Sequence, residues 1–138
     1  MALEQWFDAD TLSDLRRAVL AEAVAAGLPD DHAANVTLAV HELAANAVLH
    51  GSGAGRLRMH AVADELICHI TEDGSGGVGG RARAGRVRAV QQWLTQPGHG
   101  LWLVREIADH LSIAPSPAGS EVTAVFALPS LFGGEGNG

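Results

Sequence analysis

The chain has 138 residues, 47% of them apolar, which is one domain's length with material for a real core and too apolar for a disordered chain. A net charge of −7 argues against general binding to phosphate backbones, and all nine basic residues are arginine, which excludes any mechanism that needs a catalytic lysine, the P-loop type included. The single cysteine, Cys68, supports neither a disulfide framework nor a thiolate zinc site, and no apolar run approaches the roughly 20 residues that span a bilayer. The acidic opening MALEQWFDAD lacks the basic start of a signal peptide, so the expectation is a cytoplasmic protein with neither membrane nor nucleic acid as a direct partner.

In chain order, a short first strand is expected near Glu4–Phe7. Thr11, with Asp14 three residues on, predicts a helix start, and Leu12, Leu15, Val19 and Val24 supply its apolar stripe. Gly27 and Pro29 end it. A second helix is expected over Asp30–His50, with Val36, Leu38, Ala39, Leu43, Val48 and Leu49 apolar and two aspartates favouring its dipole at the start. After the GSGAG loop at 51–55 the period changes to two. Leu57, Met59 and Ala61 then predict one strand face, and Leu66, Cys68 and Ile70 predict its hairpin partner.

The stretch 73–98 opens on DGSGGVGG, carries Arg81, Arg83, Arg86 and Arg88, and closes on QPGHG. That is too long for an ordinary connector and reads as a lid or binding loop, with room for a short helix around Arg86–Leu94. A helical pattern resumes in GLWLVREIADHL, with Leu101, Val104, Ile107, Ala108 and Leu111 apolar. Two strands, LSIAPSP and SEVTAVFALP, join at Ala118-Gly119, and GGEGNG forms a disordered tail. Runs of helices and of hairpin strands predict an α+β two-layer sandwich: helices on one face of a mixed, mostly antiparallel sheet. Cys68 and Met59 read as core, and Trp93 and Trp102 as packed beneath the lid and last helix. The histidines show no metal-ligand spacing.

Three segments stand apart from packing. Glu42 and Asn46, four residues apart on the second helix, share a face, and a carboxylate beside an amide oxygen suits a magnesium ion or an activated water. In EDGSGG, an acid precedes glycines at a strand end, where a carboxylate can meet a base and backbone N–H groups can meet phosphate. In GHGLWLV, a Gly-x-Gly directly precedes a helix whose first N–H groups favour anions. Each taken alone also suits a solvated helix face or an ordinary turn; their order along the chain is the stronger signal.

That order of boxes resembles the Bergerat-fold ATP-binding domain of gyrase, histidine kinases and MutL. LAVHELAANAVLHG and GHGLWLVREIADHLS look most like the bacterial anti-sigma factor serine-protein kinases, especially small stand-alone regulators of actinobacteria. The resemblance covers roughly residues 4–128, giving a single histidine-kinase-like ATPase domain at 1–130 and a tail at 131–138. It implies ATP and Mg2+ as cofactors, with Asn46 reaching the metal and Glu42 as the general base. His50 and Gly51 match the family's helix end. The family's Asp-x-Gly-x-Gly box aligns Gly74 and Gly76 and places Glu72 where the family has its adenine-binding aspartate; strand parity agrees. Sliding one place would use Asp73 instead, with Ser75 and Gly77. Gly98, His99, Gly100 and Leu101 form the phosphate box. The implied activity is sequestration of a sigma factor and phosphorylation of a serine or threonine on an anti-anti-sigma partner, with a homodimer expected from the family's habit. The rival is a non-catalytic partner-binding module of the same fold with weak or no ATP binding.

Overall fold

The computed structural model describes residues 2–72, 100–116 and 119–129. The lid reading of 73–98, its short helix, Trp93 and the tail at 131–138 lie outside the described residues. Five strands and three helices follow in order: β1 (Ala2–Asp8), α1 (Leu12–Ala25), α2 (Asp30–His50), β2 (Ala54–Val62), β3 (Glu65–Glu72), α3 (Gly100–Ile107), β4 (His110–Ser116) and β5 (Gly119–Ala127). The sheet order is β1-β2-β3-β5-β4, and all four pairings are antiparallel, so the expected mixed character is not present among the described strands. The two-layer α+β sandwich itself is as expected.

Alternation decides which layer each side chain joins. On β3, Leu66, Cys68, Ile70 and Glu72 are buried beneath the helices. Leu57 and Met59 on β2, and Val122, Ala124 and Phe126 on β5, complete that floor. The helices cover it with Leu15 and Val19 of α1, Val36, Val40 and Leu43 of α2, and Val104 of α3. Cys68 and Met59 are core residues, as expected, and burial pushes the Cys68 thiol up to about 12.

Several details depart from the sequence expectation. Thr11 stands at the N-cap position of α1 as expected but makes no side-chain cap bond there; the side-chain cap is one turn earlier, where Asp8 Oδ1 accepts from the backbone N–H of Asp10 and Thr11, while Thr11 Oγ1 accepts from Asp8 N–H at 2.9 Å. This capping box closes a 3-10 turn at Ala9–Thr11 before α1 begins. At the other end Gly27, at φ +108°, donates to Val24 O, and Leu28 donates to Ala23 O, so α1 ends in a Schellman motif. Ala23 takes the core position expected of Val24, which is exposed, as are Leu38 and Leu49 of α2, Ala61 of β2 and Trp102 of α3. The last helix stops at Ile107 rather than continuing its pattern to Leu111. Asp109 N–H donates to Val125 O, and Asp109 Oδ2 accepts from Ala127 N–H at 2.7 Å, which turns the chain into β4.

Gly55 of β2 seats the Phe7 ring. A Cβ there would lie 2.6 Å from Phe7 Cζ and 2.7 Å from the Thr71 carbonyl oxygen. Gly55→Ala is therefore expected to cost about 1–3 kcal/mol by overpacking, read as a lowered urea midpoint with an unchanged slope.

The outer sheet face is polar. His60 and His69 stack with ring centroids 5.6 Å apart, Arg58 reaches Glu121, and Arg56 lies over the Trp6 ring. Burial holds the His69 pKa below its ordinary 6.5; Glu121 pulls it up, while Arg58 and His60 push it down. Below pH 6.5 the unfolded chain therefore takes up a proton at this position that the folded chain resists. Stability falls as pH drops from 6.5 toward the folded pKa, then levels off. His69→Gln should flatten that part of a melting temperature-against-pH profile.

Candidate functional site

The α2–α3 groove organises the site. Asn35, Ala39, Glu42 and Asn46 recur at helical spacing and lie within about 60° of one another around α2. His32, Asn35 and Val36, near the start of α2, meet Glu106 and Ile107 at the end of α3. The two packed helices therefore run antiparallel, which brings the Asn46 end of α2 toward the Gly100 start of α3.

Asn46 is 7% exposed, and its Nδ2 is buried without a hydrogen-bond partner among the described residues. Glu42, one turn earlier on the same side, is half-buried. Five residues beyond Asn46, roughly 7.5 Å along the helix axis, Gly51 caps α2 by donating to Ala47 O. A Cβ on Gly51 would lie 2.6 Å from Glu72 Oε1, so the Glu72 carboxylate rests directly against the end of α2.

Glu72 is 4% exposed. The parity that buries Leu66, Cys68 and Ile70 buries it too, because it is two residues further along the same strand. Its Oε2 accepts a hydrogen bond from the Ser120 hydroxyl, which is itself buried, and its Oε1 has no partner among the described residues. Sequence reasoning missed Ser120. Only the β3–β5 register, with Thr71 opposite Glu121, brings that serine to the acid.

Two buried polar atoms, the donor Asn46 Nδ2 and the acceptor Glu72 Oε1, thus have no hydrogen-bond partner among the described residues. Buried polar groups are almost always satisfied, so each of these atoms calls for a partner beyond the described residues, whether chain or ligand. The acceptor suits an amino group, as on adenine. The amide side chain of Asn46 can also turn its oxygen toward a cation. A third such atom, His41 Nδ1, lies about 140° from Asn46 around α2 and belongs to the α1 side. Among the described residues no group of three or more His, Cys, Asp or Glu is placed to hold a metal, and no helix is long and apolar enough to cross a membrane.

Of the other sequence-derived site residues, Gly100 and Leu101 begin α3 as expected for a Gly-x-Gly helix start. Asp73, Gly74, Gly76, Gly98 and His99 lie outside the described residues.

The family model for the histidine kinase-like ATPase domain matches residues 6–126, and the chain belongs to that family. No curated relative matches it. The match spans all three boxes and accords with the helix-over-antiparallel-sheet architecture.

The Ser120–Glu72 pair makes a stability prediction. Ser120→Ala leaves both carboxylate oxygens without partners among the described residues and should cost about 1–3 kcal/mol in urea unfolding. Glu72→Met combined with Ser120→Ala removes the buried polar groups altogether and should recover most of that loss.

Proposed function

We propose that the protein is an ATP-dependent anti-sigma regulator. It binds Mg-ATP, sequesters a sigma factor, and phosphorylates a serine or threonine of an anti-anti-sigma partner. The observation that carries the nucleotide half is the pair of buried polar atoms, Asn46 Nδ2 and Glu72 Oε1, without partners among the described residues of a histidine kinase-like ATPase domain. The regulatory half rests on the resemblance of the Glu42–Asn46 helix and the GHGLWLV box to anti-sigma kinases.

In this reading Glu72 Oε1 accepts from the adenine amino group, while Ser120 holds the other carboxylate oxygen and fixes the plane of the acid. The N–H groups at the start of α3 meet phosphate oxygens. Asn46, through its side-chain oxygen, would hold Mg2+, which would neutralise charge on the phosphates. Glu42, further out than Asn46 on the same side of α2, accepts the proton of the partner's hydroxyl as that oxygen attacks the γ-phosphorus and the bond to the β,γ-bridging oxygen breaks, with ADP leaving. The partial exposure of Glu42 suits this task, since the hydroxyl arrives on another protein.

The second reading is a partner-binding module without transferase activity. It is favoured by Glu72 itself, one methylene longer than the family's aspartate and with one oxygen already engaged by Ser120.

The test is calorimetry with Mg-ATP, followed by phosphate transfer to the partner retrieved by pull-down. Glu42→Ala should lower transfer by roughly 10²–10⁴-fold while leaving nucleotide affinity near wild type. Asn46→Ala should weaken Mg-ATP binding itself. Partner binding without any phosphate transfer by the wild-type chain selects the second reading, and no detectable Mg-ATP binding removes the nucleotide from both.

A further inference from the structure

The far end of the α2–α3 groove, some eleven residues or about 16 Å up α2 from Asn46, holds a cavity of about 320 Å³. Its floor is apolar: Val36 of α2, Ile107 of α3 and the edge of Phe126 of β5. Its acidic side is formed by Glu106 on the last turn of α3 and Asp109 just beyond it. Both are exposed at the mouth. Asp109 is held in place because its Oδ2 accepts from Ala127 N–H. The remaining rim, His32 and Asn35, is polar, and no arginine lines the opening among the described residues.

The geometry points to a docking site for one basic side chain, an arginine or lysine, presented by a protein partner. Three features select that occupant. The apolar lining residues accept an alkyl stem, and the two exposed carboxylates of the same lining can pair with a cationic head. The C-terminus of α3 is the negative end of its dipole and adds to the same field. The volume lies at the small end of the range for ligand sites, enough for a long side chain and too little for a nucleotide. The rim is open to solvent, so the occupant can enter while still attached to a larger body. A net charge of −7 would draw a basic partner surface toward it. The site is separate from Asn46 and Glu72, so it stands whether or not the nucleotide reading does.

The experiment is an NMR titration of the full chain with an alanine-rich peptide, capped at both ends, carrying one central arginine. The comparison is the same peptide with citrulline, the neutral isostere. Saturable shifts at Val36, Ile107 and Ala127 are expected with the arginine peptide and not with citrulline. Glu106→Gln should weaken the arginine peptide about two- to fivefold, as for one exposed charge pair, and Glu106→Lys should abolish the shifts. Both variants should keep the wild-type melting temperature, because Glu106 is exposed and outside the core. Equal binding of the citrulline peptide, no saturable shift at those residues, or full binding by Glu106→Lys would each overturn the proposal.

Discussion

The fold and its site both hang on the alternation of one central strand. β3 is paired on both edges, with β2 and with β5, so it cannot rotate to choose which side chains go inward. Leu66, Cys68 and Ile70 commit its even positions to the core. Glu72 is then buried by arithmetic rather than by preference, although desolvating a carboxylate opposes folding. Continuing the same antiparallel register sets Ser120 beside it, and the serine hydroxyl relieves half of that cost. The other half, an acceptor with no partner among the described residues, is left at the edge of the core where α2 ends.

α2 turns this buried acid into a site. Its C-terminal turn meets Glu72 through Gly51, a position with no room for a side chain. The groove-facing side of the same helix carries Asn46, Glu42 and Asn35 in succession, from the buried carboxylate toward the open rim near Glu106. One helix face therefore spans a gradient from enclosed to exposed chemistry. Groups that recognise a small molecule belong at the enclosed end, and groups that meet a macromolecule belong where solvent reaches.

Much of this is written in local patterns. The ends of α2 follow from Pro29, the paired aspartates and Gly51, and the period-2 runs at 57–61 and 66–70 give β2 and β3 their inward faces. The same parity points to Glu72 before any coordinate is known. What local pattern does not carry is competition between neighbouring signals. Asp8 and Thr11 are both good caps, and the capping box that joins them puts the side-chain cap at Asp8. Leu111 fits the helical period of the preceding residues, but strand pairing with Ala124 claims it. Leu38, Leu49 and Trp102 are apolar yet exposed, because the sheet has finite width and covers only one side of each helix. Ser120 and the far cavity are products of register and helix crossing, which no window of sequence contains.

The burial of Cys68 has a practical consequence. With its pKa near 12, almost none of the thiol is ionised at neutral pH, and the side chain is sealed between the sheet and the helices. Thiolate is the reactive form, so electrophilic dyes and mild oxidants should pass over it in the native state. A cysteine introduced on the surface would then be the sole labelled position without removal of the natural one, and reaction at Cys68 itself would report the global opening of the core.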